Sequence, residues 1–270
     1  MTLSPEPLAT PPLRHEPQAA HPHAHPHPHP AAQALTDPRA NRLLGALADP
    51  DYERWLPHLE EVDMPVGMAL WEPGCPVKYA YFPTTSIVAL SYGLEDGRAA
   101  AVSIVGREAI VGISTFMGGQ SSLGSAVVIH GGKGFRLAAV PLMIEFNQGG
   151  AARSLLLRYT QALMAQMAQV VVCIRHHSID QRLSRYLLSN LDRIEGSGIT
   201  TTQELISSML GVRREGITEA AQQLQSAGLI RYGRGHIEVL DRPGLERRSC
   251  ECHAVVKNEY ARLLPARSVA

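Results

Sequence analysis

The chain has 270 residues, 45% of them hydrophobic, and its 25 lysines and arginines balance 25 aspartates and glutamates. That length supports one large or two ordinary packed domains, and the even charge excludes a basic coat, so any contact with nucleic acid must use a local patch. Cys75, Cys173, Cys250 and Cys252 are too few for the disulfide framework of a small secreted domain and point to a reducing compartment.

The first residues carry proline, histidine and alanine where a secretory signal would place a basic start and an apolar run, so no export is expected. The longest apolar stretches, such as Val170 to Ile174, fall far short of the roughly 18 residues that cross a bilayer. A soluble, cytoplasmic protein without a membrane partner is the expectation. Residues 1–38 include HPHAHPHPHP from His21 to Pro30, a composition unable to offset its own ordering entropy, and read as a disordered tail. Alternating His-Pro can chelate a metal through neutral imidazoles, but a solvated low-complexity tail accounts for it and no function is assigned.

NRLLGALADPDYERWLPHL, beginning at Asn41, has helical spacing of Leu43, Leu44, Leu47, Trp55 and Leu59, interrupted at Asp49-Pro50, and predicts one or two short helices. Between Val62 and Val140 the texture changes to short apolar runs broken by glycine and proline, which predict an antiparallel barrel or sandwich. Gly131 to Gly134 lacks phosphate-loop spacing and reads as a hairpin turn.

Residues 152–175 contain neither glycine nor proline and predict one long helix. Leu156, Thr160, Leu163, Met167, Val170 and Ile174 repeat at the spacing of a coiled-coil seam and are the expected dimerisation residues. Packing of that stripe on its own domain is the alternative. Leu155, Met164 and Val171 on the other side suggest a helix covered twice, once by its own domain and once by a partner.

A second amphipathic helix carries Leu183, Tyr186, Leu187, Leu188 and Leu191 up to a break at Glu195 to Gly198. Thr201 or Thr202 then caps a short helix with Leu205, Ile206, Met209 and Leu210 on one face, ended by Gly211-Val212. The next helix, from Arg213 to Leu229, hides Ile217, Ala220, Ala221 and Leu224 and projects Arg213, Arg214 and Glu215 from its first turn. Two short helices meeting at a glycine, the second starting with basic and polar side chains, is the arrangement that lays a recognition helix in the major groove. Arginine there can bond guanine O6 and N7, and glutamate can accept from cytosine N4. LIRYGRGHIEVLD reads as a hairpin turning at Gly233 to Gly235, with Arg231, Arg234 and His236 placed to meet phosphates.

This order of parts resembles the Crp/Fnr family of bacterial regulators over residues 41–264, most specifically in TTQELISSMLGVRREGITEAAQQLQSAGLI followed by GHIEVLDRPGLE. The resemblance implies an α+β chain: an N-terminal cyclic-nucleotide-binding-like antiparallel β-barrel (jelly roll), a long dimerisation helix and a C-terminal winged helix-turn-helix. The expected domains are the tail over 1–38, a sensor-like barrel over 39–150, the dimerisation helix over 151–177 and the winged domain over 178–264. The implied function is a homodimeric transcription regulator on a pseudo-palindromic duplex site, with RNA polymerase as a further protein contact. The expected DNA-reading residues are Thr202, Gln203, Arg213, Arg214, Glu215, Thr218, Glu219 and Arg234. The family's Arg-Glu pair falls on Arg214 and Glu215, but its following arginine is Glu219 here, so the operator sequence does not carry over.

The sensor segment departs further. GISTFMGGQSSLGSAVV places Ile113 where cyclic-nucleotide binders carry the ribose-binding glutamate, and Leu123 near their phosphate-binding arginine. Without these anchors no tight cyclic-nucleotide binding is expected, and no cofactor. The N-terminal cysteine cluster of the iron-sulphur members is not in this sequence.

Cys250-Glu251-Cys252-His253 brings together three soft metal ligands but lacks a second pair at finger spacing, with Cys75 and Cys173 distant in sequence; no metal site is expected. His176 and His177 are adjacent on a helix and point apart, so they are read as hinge or core histidines. No nucleophile elbow, Walker loop or HExxH occurs, and the chain is not expected to be an enzyme. Two rivals stand beside the regulator: a thiol- or metal-dependent sensor using Cys250, Cys252 and His253, and a winged-helix module for protein contacts.

Overall fold

The structure is a computed structural model that describes residues 37–95 and 99–264. The proline- and histidine-rich tail expected over 1–38 lies outside the described residues except for its last two. Short helices α1 (Arg42–Gly45) and α2 (Asp49–Trp55) open the ordered part. Asn41 locks them down: its side chain accepts from the Leu43 and Leu44 amides and donates to the carbonyls of Pro83 and Ala109.

The strands are β1 (Leu59–Met64), β2 (Ala69–Trp71), β3 (Tyr79–Pro83), β4 (Ile87–Gly93), β5 (Ala99–Val105), β6 (Ser125–His130) and β7 (Gly132–Ala138), with α3 (Ser114–Met117) between β5 and β6. They form two antiparallel sheets, ordered β1-β7-β3 and β2-β6-β4-β5. The result is a jelly-roll-like sandwich of open sheets and not a closed barrel. Gly134 must be small, because a Cβ there would meet the Phe82 carbonyl at 2.9 Å and the Met64 sulfur at 2.8 Å.

Residues alternate between faces along a strand, so an unbroken apolar run is buried on both sides. In β4, β5 and β6, Val88, Val105, Ala126 and Val128 point into the sandwich with Phe82, Phe135 and Trp55. Ile87, Ala89, Ile104 and Ile129 face the other way and join the core of the C-terminal part. The second sheet is thus the floor on which the C-terminal part sits.

After α4 (Ala139–Gln148), consecutive left-handed glycines, Gly149 and Gly150, turn the chain into the 27-residue α5 (Gly150–His176). Its buried face carries Leu155, Leu156, Tyr159, Leu163, Gln166, Val170 and Cys173. The Tyr159 hydroxyl donates to the Ile110 carbonyl at 2.7 Å, and the Gln166 amide to the Ile104 carbonyl at 3.1 Å. α10 (Cys252–Leu263) lies along the same helix, with the Tyr260 hydroxyl donating to Gln166 at 2.8 Å.

This arrangement corrects the expected dimer seam. Leu156, Thr160, Leu163 and Val170 are buried in the chain's own core, Met167 is half-buried against it, and of the six only Ile174 is exposed. The stripe that faces outward runs one residue later, at Leu157, Gln161, Met164, Ala168, Val171 and Arg175, with Met164 and Val171 63% and 67% exposed. At the end of the range expected for the winged domain, α10 packs mainly along α5 and to a lesser extent on α6. Leu163→Ala is therefore expected to lower unfolding free energy by about 2–5 kcal/mol in urea titrations, the cost of a core cavity, without changing oligomeric state at equal folded fraction.

Candidate nucleic-acid interface

The C-terminal part begins with α6 (Ile179–Leu191), started by a capping box in which Ser178 and Gln181 bond reciprocally. Its Arg193 extension pairs with Glu108 of the sandwich at 2.8 Å, over Gly106, where a Cβ would meet the arginine side chain at 2.9 Å. A three-stranded sheet follows in the order β8-β10-β9, from β8 (Gly198–Thr200), β9 (Ile230–Gly233) and β10 (His236–Val239). Between β8 and β9 lie α7 (Gln203–Leu210) and α8 (Arg214–Ser226).

Each local device follows from residue type. The Thr202 hydroxyl accepts from the Leu205 amide at 3.1 Å and starts α7. Gly211 ends it in the left-handed conformation, with φ 61°, and so turns the chain into α8. Arg182 of α6, buried, donates to the Leu210 carbonyl and secures this turn. Met209 and Leu210 then rest on Ala101 and Ile104 of the sandwich.

The inner face of α8 is Ile217, Ala220, Ala221 and Leu224, as the spacing predicts. Outward, its start presents exposed Arg213, Arg214 and Glu215, with Glu219 one turn further on. Gln203 organises this face: its side-chain oxygen lies 3.3 Å from both Arg214 Nε and Thr218 Oγ1. Thr218 also donates to the Arg214 carbonyl at 3.1 Å. Three of the expected residues, Gln203, Arg214 and Thr218, are thus one connected group across the two helices, with Thr202 at its edge. Arg234 lies exposed at the tip of the β9–β10 hairpin, apart from that group. Arg231 is neutralised by Glu238 at 2.7 Å, which removes it from the cations available to a phosphate.

The other sequence candidate is rearranged. His253 does not join Cys250 and Cys252; its Nε2 lies 2.8 Å from Asp192, which also pairs with Arg242 of α9 (Arg242–Arg248). Cys173 of α5 and His177, the residue that caps it, gather with the two cysteines instead, all four ligand atoms lying within 4.8 Å of one another. Sequence distance hid Cys173. The placement of Cys173 and His177 four residues apart where the long helix ends was the available signal. The Cys173 thiol is lowered to about 5, first by its hydrogen bond with Cys250, against an opposing effect of burial and with help from Arg185. That same bond, together with burial, pushes Cys250 up.

Burial alone would raise the Asp192 carboxyl, but bonds from His253 and Arg242 hold it well below the usual range. Its folded value is depressed, so its contribution is complete above the unfolded value of about 4 and fades as pH falls below it. Asp192→Asn is expected to cost about 1.5–3 kcal/mol at pH 7 and to lose less stability than wild type between about pH 5 and pH 2 in urea titrations.

Between the sandwich, α5, α6 and α10 lies a cavity of about 790 Å³, lined by Arg42, Ser103, Gln166, Tyr186 and Lys257 among others. Among the described residues no helix is long and apolar enough to cross a membrane.

The sequence pattern of the Crp-like helix-turn-helix domain matches residues 181–248. Residues 181–248 therefore carry a Crp-like helix-turn-helix domain. Solved structures share this chain's fold. FixK2 from Bradyrhizobium japonicum superposes with a TM-score of 0.62 at 17% identity, covering 71% of this chain and 98% of its own. The c-di-GMP-responsive regulator CLP of Xanthomonas campestris gives 0.58 at 16% identity, covering 72% of this chain and 100% of its own. A CRP/FNR-family transcriptional regulator from Thermus thermophilus gives 0.55 at 21% identity, over 70% and 98%. No curated protein sequence matches the chain. Within the matched segment α7 and α8 are the helix-turn-helix and β9–β10 the wing.

Proposed function

We propose that this chain acts as a homodimer that reads a pseudo-palindromic DNA site in a sequence-specific manner and controls transcription from the cytoplasm, without enzymatic activity. The observation that carries the reading is the exposed start of α8, where the Arg214 side chain bonds Gln203 of the neighbouring helix, which Thr218 bonds in turn. An arginine held at a helix start offers a planar fork to a guanine edge, while Glu215 and Glu219 supply acceptors for cytosine amino groups. Arg213 and Arg234 contribute phosphate contacts that set register.

The outward stripe of α5 supports dimerisation, because Leu157, Met164, Ala168 and Val171 recur at coiled-coil spacing and lie open to solvent. Two such chains would place their α8 helices in successive major grooves about 34–36 Å apart. Selection of bound sequences from a random duplex pool, at stated salt, tests the reading. Recovery of a two-fold symmetric motif supports it, and failure to enrich any motif would favour the protein-contact role of the winged domain.

Cyclic nucleotides are not the proposed signal. Ile113 is packed against the sandwich core and Leu123 is 83% exposed, so neither anchor of a sugar phosphate is available there. Saturable low-micromolar binding of cyclic AMP in calorimetry would overturn this. The cavity beside α6, bordered by Met209 and Leu210 of the reading helix pair, is the better-placed input, because a molecule filling it would bear on the contact between sandwich and α7.

A further inference from the structure

We infer that Cys173, His177, Cys250 and Cys252 form a tetrahedral site for a zinc-class divalent metal ion, clasping the end of α5 to the start of α10. The geometry carries the assignment. Three sulfurs at about 2.3 Å and one imidazole nitrogen at about 2.0 Å around zinc are separated from one another by about 3.5–3.8 Å. Cys173 Sγ lies 3.6 Å from Cys250 Sγ, and Cys252 Sγ lies 3.5 Å from His177 Nδ1. Those separations suit ligands of one ion and are well beyond the roughly 2.05 Å of a disulfide.

The surroundings also suit a metal. With His177 Nδ1 turned to the cluster, Nε2 lies 3.3 Å from the Glu251 carboxylate, the partner that fixes the tautomer of a metal-bound histidine. The Gln169 amide donates to Cys252 Sγ at 3.1 Å, satisfying a thiolate lone pair. Three thiolates on a divalent ion leave one net negative charge, and Arg182 and Arg185 stand next to it with buried Nε atoms that have no hydrogen-bond partner. All three cysteines are buried, so without a metal the chain would hold three thiols together in its interior. On binding, each sulfur that still carries a proton releases it to solvent as it bonds the ion, with no change in oxidation state.

The site ties three parts together. Cys173 and His177 end the long helix, Cys250 and Cys252 join α9 to α10, and Arg182 beside them bonds the Leu210 carbonyl at the turn between α7 and α8. The ion would fix the hinge from which the DNA-reading helices are hung.

The test is metal analysis of the full chain purified under reducing conditions without added metal, beside refolding with cobalt(II) as a spectroscopic probe. About one zinc per chain, and the visible bands of tetrahedral thiolate-ligated cobalt, are expected. Metal content should fall to background in Cys173→Ser and His177→Gln, and stay stoichiometric in His253→Gln and Cys75→Ser. Should the ligand variants unfold, the cobalt spectrum of the wild type still decides, since octahedral bands would overturn the site. Metal-free protein with freely titrating thiols, a Cys173–Cys250 disulfide, or iron with acid-labile sulfide would each overturn it as well. None of these outcomes depends on DNA binding.

Discussion

Glutamate at both Met164 and Val171 is expected to convert the dimer to a monomer in sedimentation experiments and to weaken binding to the full two-fold site by roughly 10²–10⁴-fold. The two side chains lie on the outward stripe of α5, 63% and 67% exposed in the single chain, so the substitutions leave the sandwich core untouched. Their effect arises where a second copy would cover them: carboxylates from both chains would then lie desolvated along one seam. Loss of the dimer removes the effective concentration that makes the second half-site contact intramolecular. A half-site duplex, which needs only one reading head, should be bound with nearly unchanged affinity. Retention of a dimer by this variant would send the interface elsewhere. The contrast with Leu163→Ala is sharp, because that side chain is 1% exposed and its loss acts on folding.

Arg214→Ala is expected to reduce affinity for the selected site about 10- to 100-fold and to relax preference at one position in each half-site, the consequence of losing a bidentate base contact. Non-specific binding should change little by comparison. Arg234→Ala should weaken all sequences about equally and lower the slope of log affinity against log salt by roughly one. Gln203→Ala should be non-additive with Arg214→Ala, because Gln203 Oε1 lies 3.3 Å from the arginine Nε and acts through it. A double-mutant cycle on the selected operator checks this. If Arg214→Ala leaves the motif intact, the base contact belongs to another residue of α8.

Much of the reading surface was legible because its signals are local. The Thr202 cap, the left-handed Gly211 and the 3.6-residue recurrence of Ile217, Ala220, Ala221 and Leu224 each act within one or two turns. Gln203 was expected on this face from the sequence, but its bond to Arg214 was not, since the two are eleven residues apart and meet only when α7 crosses α8. Arg231 looked like a wing cation until cross-strand pairing set it against Glu238.

The long helix and the thiols divide in the same way. Sequence alone determined that a long helix fills residues 152–175 and carries coiled-coil spacing, because helix propensity and periodicity are properties of neighbours. Which stripe lies open to solvent was decided by tertiary structure. Leu156 and Leu157 begin two stripes of identical spacing, and only the position of the sandwich and of α10 covers the first and leaves the second open. Sequence likewise placed Cys250, Cys252 and His253 together, three residues in a run of four. The fold sent His253 to Asp192 and brought in Cys173 and His177, distant in the chain, because packing α10 against α5 is a long-range choice that no local spacing encodes.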